Sequence, residues 1–113
     1  MLNQVWRVVQ EVSRWSGVLI TPDGLGLGFT LGGVMLGHLH WDGRLNLPFE
    51  ADISERLLEE EMVQRDPNHL DSSRVIFDVR NISDADHAVW LLRLAYLSAD
   101  MGGLPPNPLM CRI

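Results

Sequence analysis

The chain has 113 residues, of which 46% are hydrophobic, and its formal net charge is −6. This length fits one domain with one hydrophobic core. The negative charge argues against nucleic acid and against an anionic membrane surface as partners, because both need clustered Lys or Arg. All nine basic residues are arginine, which excludes chemistry that depends on a lysine nucleophile or a P-loop lysine.

The single cysteine, Cys111, allows neither an intrachain disulfide nor a cysteine-rich metal site. The first 15 residues have no apolar core of the kind found in signal peptides. The longest uncharged apolar run, residues 24–37, is shorter than the roughly 20 residues needed to span a bilayer. These features predict a cytoplasmic protein.

The first predicted element is an amphipathic helix. Val5, Val8, Val9 and Val12 recur at the spacing of one helical face, and Gly17 is the expected stop beyond it.

A four-stranded antiparallel meander follows, because three turn signals divide the next stretch: Pro22-Asp23, Gly32-Gly33 and Asp42-Gly43. Opposed residues share a face of a sheet, and the registers implied by the three turns agree with one another. The expected core face consists of Val18, Ile20, Leu25, Leu27, Phe29, Leu31, Val34, Leu36, Leu45 and Leu47. The expected outer face consists of Gly26, Gly28, Gly37, Thr30, Met35, Leu39, Trp41, Arg44 and Asn46.

The second half of the chain predicts a helix, a strand and a longer helix. Asp52 is the expected N-cap of the second helix, with Glu55 reaching back to it. Residues 65–73 are expected to form a loop, and residues 75–79 alternate as a fifth strand.

The last predicted helix opens with a cap from Ser83 to Asp86, is apolar almost all round, and ends at Gly102-Gly103. The fold class is therefore α+β, with the long C-terminal helix packed on one face of the sheet. Residues 1–100 form a single domain, and residues 101–113 form an extended, proline-rich tail.

The sharpest feature is His38-Leu39-His40, because the predicted register places both imidazoles on the core face. Three interpretations stay open: two structural histidines held by hydrogen bonds, a small-ligand pocket, or half of a metal site. Ligand-pocket candidates are His38, His40, His69, His87 and Asp42. A metal would need a further ligand from His69, His87 or Asp71, so neither a metal nor a cofactor is predicted.

The glycines at positions 24, 26 and 28 alternate within a strand, which excludes a dinucleotide-binding loop. Together with Gly37 they predict a bare strip on the outer face, either covered by another part of the chain or used as an interface. The interface candidates are Gly26, Gly28, Gly37, Leu39, Trp41 and Met35, and the corresponding partner is a second copy of the chain.

Two stretches carry a family resemblance: residues 37–49, with the run Gly-His-Leu-His-Trp-Asp-Gly, and residues 87–96, which begin His-Ala-Val-Trp. They resemble a family of small bacterial and fungal domains known as luciferase-like domains, over about residues 15–98 of this chain. The resemblance implies an α+β domain and implies neither light emission nor a flavin-binding barrel. It attaches no catalytic role to the matching residues, which are His38, His40, Asp42, Pro48, Phe49 and His87.

The sequence therefore favours a non-enzymatic binding or protein-interaction module, with a homodimer or a small-molecule ligand as partner. The alternative is a small metal-binding or histidine-based enzyme with a pocket around the His-x-His strand.

Overall fold

Three helices and six strands make up the part of the chain that the computed structural model describes, residues 2–68 and 72–102. In chain order they are α1 (Asn3–Val12), β1 (Val18–Asp23), β2 (Gly26–Leu31), β3 (Val34–His40), β4 (Arg44–Leu47), α2 (Ala51–Glu59), β5 (Gln64–Arg65), β6 (Val75–Asp78) and α3 (Ile82–Gly102). The α+β class, the N-terminal helix and the long C-terminal helix are confirmed. The expected tail lies outside the described residues from position 103 onward.

The strands form one antiparallel sheet in the order β1-β2-β3-β4-β6-β5. The first four strands are the expected meander, and β6 is the expected fifth strand. The extra strand, β5, consists of Gln64 and Arg65, so its second residue lies in the predicted loop. It has only two residues, which is too few for an alternating pattern to be visible in the sequence.

The register of the meander differs from the prediction because β3 contains a β-bulge. Thr30 pairs with Met35 but Phe29 pairs with Gly37, which leaves Leu36 as an extra residue. Since side chains alternate with a period of two, one extra residue exchanges the faces for the rest of the strand. Leu39 therefore lies on the core face, fully buried, and the prediction that His38 and His40 lie there is wrong.

Two of the three turns are also shifted. The loop between β1 and β2 is Gly24-Leu25, because Asp23 pairs with Gly26. The loop between β3 and β4 has three residues and ends at Gly43, whose φ of +103° suits glycine. Leu25, expected in the core, is consequently 66% exposed, and Val34, at the correctly predicted Gly32-Gly33 turn, is 49% exposed.

Buried side chains of all three helices join those of the sheet in one apolar core, and α3 lies against its middle strands. Gly37 is the point of closest approach, because a Cβ there would lie 2.9 Å from Cδ2 of Leu92 on α3. Fully buried core residues include Val5, Val8, Val12, Phe29, Leu39, Leu45, Leu47, Leu91 and Leu92.

Both predicted helix caps are misplaced. The N-cap of α2 is Glu50 rather than Asp52, and the Glu50 side chain makes no capping hydrogen bond. At the start of α3, Asn81 Oδ1 accepts a 2.9 Å hydrogen bond from the Asp84 N–H, so the cap lies before Ser83. None of the helices in the described part of the chain is long and apolar enough to cross a membrane.

Candidate functional site

The outer face of the sheet brings His38 and His40 together with a carboxylate from β1. His40 lies opposite Gly26, and Gly26 lies opposite Asp23 on the other side of β2. His38 lies opposite Gly28 in the neighbouring row. Because the two β2 residues have no side chains, groups on β1 and β3 can meet above the middle strand.

Asp23 and His38 form the closest side-chain pair on this face. Nε2 of His38 lies 2.6 Å from Oδ2 of Asp23, and the two side chains are 20% and 52% exposed. The other carboxylate oxygen, Oδ1, accepts hydrogen bonds of 2.9 Å from the backbone N–H groups of Leu25 and Gly26. These bonds hold the carboxylate in place at the end of the β1–β2 hairpin, so it in turn orients the imidazole.

The pKa of Asp23 is lowered from its ordinary value of 3.8. The hydrogen bond from His38 is the largest cause, and those from the Leu25 and Gly26 N–H groups act in the same direction. Partial desolvation of the carboxyl group opposes them. Asp23 is therefore an anion at neutral pH, and the His38 Nε2–H donates to it.

His40 has a different partner. Nδ2 of Asn46 lies 3.0 Å from Nε2 of His40, and since the amide nitrogen donates, this imidazole nitrogen accepts. The His38 and His40 rings pack edge to face, with centroids 4.8 Å apart. Two imidazoles with different hydrogen-bond partners therefore lie side by side, and the Nδ1 atoms take no part in these bonds.

The two glycines under the site tolerate side chains differently. A Cβ on Gly26 would overlap the carbonyl oxygen of Leu39 and lie 2.7 Å from Cα of His40, so the β3 backbone excludes it. A Cβ on Gly28 would lie 3.6 Å from Cε of Met35 and 3.9 Å from Cδ2 of His38, which are ordinary contact distances. The predicted bare strip is therefore covered by the β3 backbone at Gly26 and by the side chains of Met35 and His38 at Gly28.

His87 lies away from this site. It is on α3, where its Nε2–H donates to the carbonyl oxygen of Met62 at 3.1 Å. Its ring packs edge to face on Phe77, with centroids 4.5 Å apart, and Phe77 pairs with the buried Leu45 of the core face. His87 therefore anchors the segment after α2 to α3 on the helical side of the sheet.

Of the remaining pocket candidates, the structure describes only Asp42. Asp42 is exposed in the β3–β4 loop, where its Oδ1 accepts a 3.1 Å bond from the Arg44 N–H. His69, like Asp71, lies outside the described residues. Within residues 2–68 and 72–102, no group of three or more His, Cys, Asp or Glu side chains is arranged to hold a metal ion.

The candidate interface changes as well. Gly37 and Leu39 face the core, and Gly26 and Gly28 are covered. Met35 and Trp41 remain exposed, at 45% and 39%. Leu19, which the sequence did not single out, is 67% exposed and lies opposite Thr30 on the outer face.

The sequence did not identify Asp23 as a site residue, because the turn was placed at Pro22-Asp23. The signal that could have found it is Leu39, which the predicted register left on the outer face between two inward histidines. A bulge in β3 exchanges these three residues, burying the leucine and exposing both imidazoles. With that register, Asp23 falls beside the histidines.

The arrangement at Asp23 and His38 has the chemistry of a carboxylate–imidazole pair. An anionic carboxylate on one ring nitrogen fixes the tautomer and orientation of the ring, so the other nitrogen can accept a proton or a hydrogen bond. A small polar molecule on this face would find hydrogen-bonding groups already in position.

A family model described as Luciferase domain matches residues 33–95, which include β3, β4, both site histidines and most of α3. Asp23 precedes the matched segment. No curated protein and no solved structure matches the chain. The matched segment covers more than half of the 113 residues, and the chain therefore belongs to the Luciferase domain family.

Proposed function

We propose that this domain is a binding module that holds a small molecule on the outer face of its sheet, with His38 and His40 as polar contacts. The observation that carries the proposal is the 2.6 Å pair between Asp23 and His38. Both side chains are partly exposed, and exposed ion pairs add little to folding stability. A carboxylate that is held by two backbone N–H groups and orients an imidazole is better explained by recognition.

The composition of the face supports a ligand of modest size. Leu19 and Met35 are exposed apolar side chains in the row of Thr30, next to the row that holds His38. Sites for small molecules usually combine apolar area with a few oriented polar groups. The ligand would place its polar group at the imidazoles and its apolar part toward Met35.

The test is a screen of small polar and amphipathic molecules by NMR, followed by titration of hits against variants. Asp23→Asn and His38→Gln should weaken binding about tenfold or more, since oriented hydrogen bonds to charged groups are lost. Asp86→Asn is the matched control, because Asp86 is also an exposed carboxylate in an ion pair, with Arg7 at 2.9 Å. Equal affinities for all three variants would contradict the proposal.

A second candidate function, a histidine-based enzyme, rests on the same 2.6 Å pair, which would let Nδ1 of His38 act as a general base. Its test is turnover of identified ligands, compared between the wild-type protein and His38→Gln. Binding that survives this substitution without turnover would separate the two functions.

Self-association through the outer face is a further proposal, carried by the exposure of Leu19 and Met35 in one row of that face. Light scattering of the wild-type protein and of Leu19→Lys tests it: a dimer should dissociate in the variant. The cytoplasmic location stays a prediction from the sequence.

A further inference from the structure

A second surface lies on the helical side of the molecule, in a cleft between α2 and α3. The cleft has a volume of about 500 Å³. Its lining residues are Asp52, Ile53, Arg56, Leu57, Glu60, Met62, Trp90 and Leu94. The α2 residues recur at the spacing of one helical face, and Trp90 and Leu94 are one turn apart on α3, so the cleft runs between two helices.

Trp90 is the main apolar group at this cleft. It is 47% exposed, while its ring stacks almost parallel to that of His87, with an interplanar angle of 11° and centroids 6.1 Å apart. His87 is in turn fixed by its hydrogen bond to Met62 and its contact with Phe77. The indole therefore packs against an imidazole that is itself held in place. A partner would then restrict less side-chain motion of Trp90 on binding, which lowers the entropic cost of binding.

The exposed apolar surface continues along α3. Leu97 is 45% exposed and lies at i+7 from Trp90, with Leu94 between them at i+4. These positions share one helical face. The apolar stripe formed by Trp90, Leu94 and Leu97 is long enough for an elongated partner. A compact ligand in the cleft would cover only part of it.

The charge of α2, which forms one wall of the cleft, is acidic. Two carboxylates, on Asp52 and Glu60, line the cleft together with one guanidinium, on Arg56, and three more exposed carboxylates lie outside its lining on α2 and the turn after it, on Glu55, Glu59 and Glu61. Arg56 is paired with Glu60 at 3.4 Å. The nearest cation on α3, Arg93, lies over the rings of Trp15 and Tyr96 and not in the cleft.

We infer that this cleft is a docking site for a basic amphipathic helix of a partner protein. The apolar face of the helix would lie along Trp90, Leu94 and Leu97, and its Lys or Arg side chains would face Asp52 and Glu60 on α2. An amphipathic helix fits a groove between two helices because its apolar side chains recur at the same spacing as those of the groove. The acidic rim selects a basic partner and disfavours an acidic one.

The experiment is calorimetric titration of the full chain with a peptide of about 18 residues that contains only Leu and Lys in an amphipathic pattern. The comparison peptide has Glu in place of Lys. We expect the basic peptide to bind and the acidic one to bind at least about a hundredfold more weakly, because like charges would meet at the rim.

Trp90→Ala should weaken binding of the basic peptide about tenfold or more, as is common for a central tryptophan. Trp6→Ala is the matched control: Trp6 is 49% exposed but lies on α1, away from the cleft. Glu60→Arg reverses one charge of the cleft lining and removes the exposed ion pair with Arg56, which adds little to folding stability, and it should weaken binding of the basic peptide. Equal binding of the two peptides, equal affinities of the two tryptophan variants, or no binding of the basic peptide would overturn the inference.

Discussion

At the scale of single residues, Asp23 links the site to the stability of the fold. Its pKa is lowered chiefly by the hydrogen bond from His38. A carboxyl group with a lowered pKa in the folded state stabilises the fold above its ordinary pKa of 3.8, and that contribution is lost as the pH falls through the lowered value.

The first prediction follows from this linkage. The free energy of unfolding of Asp23→Asn should lie slightly below that of the wild-type protein at neutral pH, because an exposed pair adds only a little stability. The difference should shrink as the pH falls below about 3.8. Urea denaturation of both proteins between about pH 7 and about pH 2 checks it, and other carboxylates cancel because both proteins contain them. A difference that stays constant with pH would show that Asp23 does not titrate in this range.

A second prediction concerns the helix cap at Asn81. Replacing Asn81 with Ala removes the acceptor of the Asp84 N–H and should cost about 0.5–2 kcal/mol. Ser83→Ala, at the position where the sequence placed the cap, should change the free energy of unfolding by less than about 0.5 kcal/mol. Chemical denaturation decides between the two positions, since a larger loss in Ser83→Ala would restore the cap predicted from the sequence.

At the scale of elements, the bulge in β3 determines the location of the site. Leu39 is fully buried and Leu25 is 66% exposed. Leu39→Ala should therefore destabilise the protein by about 2–5 kcal/mol, whereas Leu25→Ala should have an effect within about 0.5 kcal/mol. Urea denaturation of the two variants tests the register, because the register predicted from the sequence would place Leu25 inside and Leu39 outside.

The two glycines of β2 give a fourth prediction. Ala at position 26 would collide with the backbone of β3, which cannot move without losing strand pairing, so Gly26→Ala should destabilise by about 1–3 kcal/mol or more. Ala at position 28 meets only ordinary contacts and restricts the unfolded chain, so Gly28→Ala should be neutral or stabilising by about 0.5–1 kcal/mol. Thermal denaturation compares them, and equal losses would contradict the difference in backbone contact.

The sequence was sufficient for the type and order of the main elements, because alternation and helical periodicity are local signals. Local signals could not predict which residues of β3 face the core. A bulge changes no residue type and leaves the turn at Gly32-Gly33 intact, so three turns could agree on a register in which His38 was buried. Leu39 was the remaining sign, since a wholly buried leucine stabilises the fold more than an exposed one.

At the scale of the whole molecule, the sheet separates two surfaces of different character. One face carries Asp23 and the two histidines, and the helices on the other side carry the cleft beside Trp90. The partner of His38 comes from β1, which precedes the family-matched segment. The matched residues therefore include the imidazoles but not the carboxylate that orients one of them.

The same separation leads to a prediction about folding. A fragment of residues 33–95 lacks α1, β1 and β2, and with them the fully buried side chains of Val5, Val8, Val12 and Phe29. Its β3 would become an edge strand, with Leu39 no longer covered on one side. Because a small domain has little stability to lose, this fragment should show no cooperative thermal transition, whereas the full chain should show one. Circular dichroism and NMR of both polypeptides test this, and a sigmoidal transition in the fragment would mean that the matched segment is a folding unit without α1, β1 and β2.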